Sequence, residues 1–267
     1  MKYVALWMVP ALTTALAAVS FGQGDSLSIG PRFHRETAHT ESGFVGNNIS
    51  HGRNLPLYKD YPRKPVTALP KPDLLSKPLA ESIAERKSIR SFAGHSLTLA
   101  QLSALLTAAD GLTHSMGKYE LRSAPSGGAL FPIEIYVIAA AIDSLKPGIY
   151  HFQVADGSLA LLSEGDFAGR LESAALDQEF VGAAPVNFIL TARFERSTKK
   201  YADRGYRYSY IEAGSICQNI YLAATALRLG TVAVGAFINR AVNDIIGIDG
   251  AEEAAILIMP VGYPARE

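Results

Sequence analysis

A loop of small residues runs directly into a long apolar segment, and this junction constrains the fold more than any other part of the sequence. Pro125, Ser126, Gly127 and Gly128 form the loop, and the apolar segment extends over residues 133–142. A run of this kind bounded by Gly and Pro predicts a buried β-strand. Adjacent glycines also let backbone N–H groups approach a flat or anionic ligand without interference from a Cβ atom. The junction is therefore a candidate binding loop. A Ser-Gly-Gly sequence before a strand is also common as an ordinary turn without a binding role.

Length and composition indicate one folded domain of ordinary size. The chain has 267 residues, of which 48% are hydrophobic, and its formal net charge is zero. This is enough apolar material for one substantial core, which we assign to residues 79–267. The sequence has no stripe rich in Lys and Arg with interleaved aromatic residues, so we expect no nucleic-acid partner.

The first 22 residues are predicted to be an export signal. Lys2 is followed by an apolar stretch over residues 3–19 and then by small residues suited to cleavage. An uncleaved membrane anchor is the alternative, because the stretch approaches the length needed to span a bilayer. Pro10 and the alanine-rich end favour cleavage. We therefore expect an exported protein without a membrane partner once the signal is removed.

Residues 23–78 are predicted to form a polar and then proline-rich arm. The prolines from Pro56 to Pro78 preclude regular helix in that part of the arm and suit an extended chain. His34, His39 and His51 lie in this arm without a regular ligand spacing, so no metal site is expected. Cys217 is the single cysteine of the chain, and its apolar surroundings indicate a buried structural thiol.

The remaining pattern predicts an α+β fold. Helices are expected at 79–87, 97–109, 167–177 and 208–229, and Thr98 is expected to cap the second of them. Strands are expected at 133–142, 148–154, 158–163, 186–194, 232–237 and 255–261, with an Asp156-Gly157 hairpin turn between the second and the third. Helices both precede and interrupt the strands, which favours α+β over a regular parallel βαβ array.

Two further motifs lie far from the small-residue loop in the sequence. The first is RKSIR at residues 86–90, and the second is YSYIEAGSICQNIYLAATALRLGTVAVGAF at residues 208–237. With the loop, and in this order, they resemble the nitroreductase-like flavoproteins, specifically their SagB/ThcOx-type branch, over about residues 80–263. The resemblance implies a central, mostly antiparallel sheet flanked by helices, and an intertwined homodimer.

The resemblance also implies that the protein binds FMN. It places Arg86, Ser88 and Arg90 at the phosphate and ribityl end of the cofactor. It makes Pro125, Ser126, Gly127 and Gly128 neighbours of the flavin ring, commonly across a dimer interface, and it runs the backbone of Val234, Gly235 and Ala236 past that ring. Guanidinium groups and a hydroxyl are suited to holding phosphate.

In azoline dehydrogenases of the SagB/ThcOx type, a Lys-Tyr pair serves proton transfer, and the resemblance carries this role to Lys200 and Tyr201. The flavin takes a hydride in such a reaction while a base removes a proton. Free lysine and tyrosine side chains keep their protons at neutral pH, so each would need burial or a cationic neighbour, for which Arg204 and Arg207 are candidates. The alternative for this segment is a basic exposed loop.

Glu212, Ser215 and Asn219 form one polar stripe on the otherwise apolar helix at 208–229. Buried polar groups need partners, and we expect this stripe to be structural. Ser126 is not expected to be a hydrolase nucleophile, because Pro125 breaks the G-x-S-x-G elbow pattern.

Three functions remain open from the sequence. The first is an FMN-dependent oxidoreductase that dehydrogenates a small molecule or a peptide, including azoline oxidation. The second is an NAD(P)H-dependent reductase of nitro compounds or quinones; with no G-x-G-x-x-G element, nicotinamide would dock transiently over the flavin. The third is a non-catalytic binding or partner subunit with the same fold.

Overall fold

The computed structural model describes residues 29–40, 43–44, 55–72, 75–117 and 119–265. The predicted export signal at 1–22 and His51 lie outside these residues. Among the described helices, none is long and apolar enough to cross a membrane.

Eleven strands are described, and seven of them form the central sheet. In chain order they are β1 (His39–Thr40), β2 (Gly43–Phe44), β3 (Val66–Ala68), β4 (Leu112–Met116), β5 (Tyr119–Arg122), β6 (Ile133–Ala139), β7 (Gly148–Gln153), β8 (Ser158–Glu164), β9 (Val186–Ala192), β10 (Gly230–Thr231) and β11 (Ala254–Gly262). The sheet has the order β10-β11-β9-β6-β7-β8-β3, and every neighbouring pair in it is antiparallel. The two remaining pairs, β1 with β2 and β4 with β5, form separate small antiparallel sheets.

Eight α-helices are described around this sheet. They are α1 (Ile29–Glu36), α2 (Leu79–Glu85), α3 (Leu99–Asp110), α4 (Ala168–Ala174), α5 (Glu179–Gly182), α6 (Glu195–Tyr201), α7 (Arg204–Ala226) and α8 (Asn239–Ile246). The predicted α+β class and the mostly antiparallel sheet are thus confirmed.

The sheet is covered on both faces, and this explains its continuous apolar strands. All residues of β6 and β9 are buried, as expected for central strands with packed layers on either side. One core lies on the face that α3 and α7 cover, and the second lies on the face that α4 and α8 cover. Thr98 begins α3 with a capping box in which its hydroxyl accepts from the Gln101 N–H, as the sequence predicted.

Two local predictions were wrong. Residues 232–237 do not form a strand, because they make only one bridge to the sheet, between Val234 and Ile258. The Ala233 N–H donates instead to the Tyr221 hydroxyl, and the Ala236 carbonyl accepts from the Gln178 side chain. The exposed loop considered around Lys200 is instead helix α6, and it is followed closely by α7.

The described part of the predicted arm packs on the domain. Strand β3 pairs with β8 at the sheet edge, and the Leu57 carbonyl accepts from Arg122. Lys59 forms an ion pair of 2.7 Å with Glu253. The domain boundary predicted at residue 79 stays a prediction. The structure adds that strand β3, which precedes this boundary, is an edge strand of the central sheet.

Candidate functional site

The small-residue loop is held in a conformation that glycine favours. Gly128 has a φ of +70°, which lies in the left-handed region that costs other residues free energy. The Ser126 hydroxyl accepts a hydrogen bond of 2.8 Å from the Phe131 N–H and so fixes the turn from within. Pro125, Gly127 and Gly128 are exposed, and the loop therefore presents its backbone to solvent.

The predicted Lys-Tyr pair lies directly against this loop. A Cβ atom added to Gly128 would stand 2.5 Å from the Tyr201 Oη atom and 2.9 Å from the Lys200 Nζ atom. The Lys200 Nζ atom is 5.2 Å from the centroid of the Tyr201 ring. Helix α6 ends beside the small-residue loop that precedes β6. Lys200 and Tyr201 therefore share one surface with the loop, although they are far from it in the sequence.

Tyr208 and Arg204 complete this group, and the sequence did not predict their arrangement. A Cβ atom at Gly127 would be 3.5 Å from Tyr208, whose ring packs edge-on against Tyr201 with centroids 4.8 Å apart. Arg204 donates to the Tyr208 hydroxyl at 2.8 Å and to the Thr37 carbonyl at 2.7 Å. Arg207 donates to the His34 carbonyl of α1. The two arginines expected beside Lys200 thus bind Tyr208 and α1.

The RKSIR segment lies at the other end of α7. The Arg86 guanidinium stacks over the Tyr221 ring at 5.2 Å, and the Ser88 hydroxyl is 3.0 Å from the Tyr221 hydroxyl. The Ile89 N–H donates to the Thr231 carbonyl. Ser88 and Arg90 are exposed, so a hydroxyl and a cation face solvent beside the stacked Arg86.

Residues 232–237, which follow β10, contact the RKSIR segment through Tyr221. The Tyr221 hydroxyl accepts from the Ala233 N–H at 2.9 Å, next to Val234, which is buried. Gly235 and Ala236 are exposed, and a Cβ atom at Gly235 would meet no atom within 4 Å. The protein itself therefore does not require glycine at this position, and the space in front of it is open.

The structure thus gathers the predicted site residues into two groups rather than one. We call the loop 125–128 with Lys200 and Tyr201 the loop half-site, and residues 86–90 with 234–236 the RKSIR half-site. Tyr208 anchors the first and Tyr221 the second, and both belong to α7. At a rise of about 1.5 Å per residue these anchors are about 20 Å apart along the helix.

The polar stripe of α7 is mainly structural, as predicted, with one exception. The Ser215 hydroxyl donates to the Ile211 carbonyl, and the Asn219 side chain donates to the Ala109 carbonyl at 3.4 Å. Glu212 is buried, and neither of its carboxylate oxygens has a hydrogen-bond partner among the described residues. Burial raises the pKa of Cys217 to about 11, which agrees with an unreactive thiol.

Buried ion pairs lie behind the loop half-site, and the sequence analysis did not predict them. Arg122 donates to Asp110 at 2.6 Å, and Arg196 donates to Glu134 at 2.6 Å. The His151 Nε2 atom lies 3.0 Å from Glu134. Arg196 also donates to the Phe131 carbonyl, so these charges fix the chain that leaves the loop. Glu134 lies within the apolar segment at residues 133–142. The pattern of apolar residues there gives no indication that Glu134 has a buried ion-pair partner.

Among the described residues, no group of three or more His, Cys, Asp and Glu side chains is arranged to hold a metal ion. The cations and hydroxyl of the RKSIR half-site and the glycine backbone of the loop half-site are instead suited to an organic anion with a flat ring.

Comparison with known proteins finds relatives of this chain in one family. The model of the Nitroreductase family matches residues 83–263. A protein of Methanocaldococcus jannaschii named as a nitroreductase is 38% identical over 72% of this chain and 93% of its own length. The trifolitoxin-processing protein of Rhizobium leguminosarum bv. trifolii is 30% identical over 54% of this chain, and the microcin B17-processing protein of Escherichia coli is 26% identical over 53%. The matches span only 40% and 54% of those two processing proteins.

Solved structures described as nitroreductases share the fold. One from Ralstonia eutropha is 30% identical with a TM-score of 0.66, covering 81% of this chain and 97% of its own. One from Anabaena variabilis is 25% identical with a TM-score of 0.71, covering 88% of this chain and 47% of its own. One from Desulfovibrio desulfuricans, solved in complex with FMN, is 22% identical with a TM-score of 0.52, covering 72% of this chain and 88% of its own.

Proposed function

The chain belongs to the nitroreductase family, and on that premise we propose that it is an FMN-dependent oxidoreductase of the SagB/ThcOx type that acts as a homodimer. The observation that carries the proposal is the contact of Lys200 and Tyr201 with the glycine loop. Two groups suited to moving a proton thus stand beside the loop that is proposed to flank the flavin ring.

The residues of the two half-sites fit FMN. Arg86 and Arg90 supply positive charge, and Ser88 supplies a hydroxyl, for the phosphate and ribityl end. At the ring, the open space in front of Gly235 would let a planar group approach the backbone of residues 234–236. In the loop half-site, Pro125, Gly127 and Gly128 are exposed and none of the residues 125–128 has a bulky side chain.

The distance between the half-sites supports the proposed homodimer. In one copy they lie at opposite ends of α7, about 20 Å apart. A two-fold axis that crosses α7 of one copy with α7 of the other places the loop half-site of one copy near the RKSIR half-site of its partner. The same helix carries apolar side chains that one copy leaves exposed, Tyr210 at 51% and Ile211 at 64%, and an isologous dimer would cover them.

The proposed reaction is a two-electron dehydrogenation. Bound FMN would accept the hydride at N5. Lys200 in its neutral amine form, or Tyr201 in its phenolate form, would take the proton that the substrate releases as its new double bond forms, so that the substrate loses one hydride and one proton. Lys200 is exposed and Tyr201 is partly buried against Tyr208. A different acceptor, such as dioxygen, must then reoxidise the flavin.

A small molecule or a peptide with an azoline ring is the proposed substrate class. The peptide-processing relatives support it, as does the Lys-Tyr pair at the loop. The relative named as a nitroreductase supports the alternative, an NAD(P)H-dependent reductase of nitro compounds or quinones. Export of the mature chain after cleavage of the signal remains part of the proposal, and the mature enzyme would then acquire FMN outside the cytoplasm.

The first experiment is the visible absorbance spectrum of the purified mature chain, with gel filtration before and after addition of FMN. Flavin bands that elute with a dimer are expected. A folded chain that shows no bands under either condition would contradict the cofactor and favour the non-catalytic subunit. With flavin bound, anaerobic bleaching by a thiazoline but not by NADPH supports the dehydrogenase, and the reverse result supports the reductase.

A further inference from the structure

The chain leaves the small-residue loop through a backbone conformation that bulky residues rarely adopt. Phe131 has a φ of +44°, and Ala129, two residues before it, has a φ of +55°. A left-handed conformation at a residue with a large side chain persists only where the surrounding structure holds it. Phe131 is 4% exposed, so the groups that hold it belong to the protein itself.

Three contacts hold Phe131, one at each part of the residue. Its N–H donates to the Ser126 hydroxyl at 2.8 Å, and its carbonyl accepts from Arg196 at 2.6 Å. The Arg122 guanidinium lies over its ring, 4.3 Å from the centroid. Because Ser126 belongs to the loop at 125–128, the position of Phe131 fixes where that loop ends.

The Arg122 guanidinium joins Phe131 to the N-terminal arm. It lies 5.3 Å from the centroid of the Tyr58 ring and donates to the Leu57 carbonyl at 3.1 Å. The Tyr58 hydroxyl donates to Glu120, two residues before Arg122 in β5. A cation is attracted to the face of an aromatic ring, and more strongly where water is excluded. The Arg122 side chain is 2% exposed, so its contacts with both rings are of the stronger kind.

Arg122 has no hydrogen-bond partner to spare. Its second hydrogen bond goes to Asp110 at 2.6 Å, and its Nε atom has no partner among the described residues. A guanidinium carries five N–H donors, and a buried donor without a partner costs free energy. The arm therefore supplies one of the two acceptors that Arg122 has in the described part of the chain, together with an aromatic ring.

We propose that Tyr58 is a positioning residue of the loop half-site and acts through Arg122 and Phe131. The arm holds the guanidinium, the guanidinium holds the Phe131 ring, and the strained Phe131 backbone keeps the loop against Lys200 and Tyr201. Without the hold of the arm, Phe131 relaxes to a less strained conformation and the loop loses its fixed position. The consequence for catalysis rests on the proposed function, whereas the order of the loop does not.

Amide exchange of the flavin-free chain at a single pH tests the proposal with two substitutions of Tyr58. Tyr58→Leu keeps an apolar side chain but removes the ring from Arg122, and exchange of residues 126–131 should become about tenfold faster. Tyr58→Phe keeps the ring and loses only the bond to Glu120, so exchange should stay within about twofold of the wild type. The amides of β9 should exchange alike in all three proteins.

A double variant separates action through Phe131 from a general loss of stability. Phe131→Leu alone should also accelerate exchange of the loop about tenfold, and in Tyr58→Leu with Phe131→Leu the two effects should not multiply. Val242→Ala is the control, because Val242 is buried on α8 in the core on the other face of the sheet. It should lower the free energy of unfolding in urea without selectively accelerating the loop.

Three results of the exchange measurements would overturn the proposal. They are a loop in Tyr58→Leu that exchanges as in the wild type, a loop and β9 that accelerate by the same factor, and effects of Tyr58→Leu and Phe131→Leu that multiply. If Tyr58→Leu does not fold, Phe131→Leu decides, and a loop in that variant that exchanges as in the wild type overturns the proposal.

The loaded enzyme gives a second, separate measurement. Bleaching of the flavin by substrate in a single turnover should be about tenfold slower in Tyr58→Leu than in Tyr58→Phe, and equal rates also overturn the proposal. A failure of the proposed function looks different, because the wild type itself would then show no flavin bands or no bleaching. The exchange measurements need no flavin and are unaffected by that failure.

Discussion

Tyr208 and Tyr221 stand on the same helix, and each anchors one of the two half-sites. Tyr208 packs against Gly127 and Tyr201, whereas Tyr221 lies under Arg86 and bonds to Ser88. The separation of about 20 Å between them is fixed by the helix. The chain therefore presents both halves of the proposed site at a distance that two antiparallel copies would bridge.

Mixing two inactive variants tests whether the half-sites of different copies combine. One variant carries Arg86→Ala with Arg90→Ala, and the other carries Lys200→Ala with Tyr201→Phe. In a mixed dimer one site holds both defects and the other holds none, so we expect about half of the wild-type activity per mixed dimer, with both parents nearly inactive. Co-refolding followed by activity assay measures this, and a mixture no more active than its parents would place each site within one copy.

The two arginines of the RKSIR half-site are expected to hold the FMN phosphate. Arg86→Ala with Arg90→Ala should raise the Kd for FMN by at least about 100-fold, because each charge-assisted contact contributes about 1.5–3 kcal/mol. The circular dichroism spectrum and the dimer should be retained. Arg240→Ala is the control, since its side chain is 91% exposed. Flavin binding at wild-type strength in the double variant would remove both residues from the site.

Lys200→Ala is expected to leave flavin bound and to slow dehydrogenation by about 10²–10⁴-fold, the usual contribution of a general base. Tyr201→Phe, which removes the hydroxyl beside Gly128, should slow it as well. Single-turnover bleaching of the flavin separates this step from substrate binding. Lys146→Ala is a matched control, because Lys146 is 69% exposed and pairs with Glu164. An unchanged bleaching rate in both site variants would exclude them from proton transfer.

Glycine at position 128 is required for steric reasons that its φ alone does not explain. Gly128→Ala should lower activity more than Gly157→Ala, although the two residues have φ values of +70° and +65°. Both substitutions bear the backbone cost of about 1–2 kcal/mol. Only the Cβ at 128 meets Tyr201 and Lys200, whereas a Cβ at 157 meets nothing within 4 Å. Equal activity in the two variants would mean that the contact with Lys200 and Tyr201 is unimportant.

The buried ion pairs behind the loop should be important for stability. Glu134→Gln leaves Arg196 without its carboxylate and should cost about 3–5 kcal/mol in urea unfolding. Burial alone would raise the pKa of Glu134, but the hydrogen bond with His151 and the charge of Arg196 hold it at about 2. Its contribution is therefore complete above the ordinary pKa of 4.5 and is lost as the pH falls through about 2.

Glu164→Gln is the control for Glu134→Gln. The pair of Glu164 with Lys146 is 3.0 Å long but exposed, and such pairs contribute about 0–1 kcal/mol. We expect the control to unfold within about 0.5 kcal/mol of the wild type. Similar unfolding free energies for the two variants would show that the buried network does not stabilise the fold.

The sequence by itself determined the elements that depend on local pattern. The apolar run after the glycine loop became β6, the capping residue Thr98 began α3, and Asp156-Gly157 turned the chain between β7 and β8. Period, caps and turns act over a few residues, and for this reason they can be read without the fold. The family resemblance likewise depended on short motifs in a fixed order.

Tertiary structure decided how the motifs are distributed in space. The placement of Tyr201 against Gly128, the separation of the RKSIR half-site, and the burial of Glu212 without a hydrogen-bond partner among the described residues arise from helix α7 and the layers it packs between. The segment after β10 looked like a strand, but the Tyr221 hydroxyl takes its Ala233 N–H. Such contacts join residues far apart in the chain, and their free energy depends on burial and charge that only the folded arrangement sets.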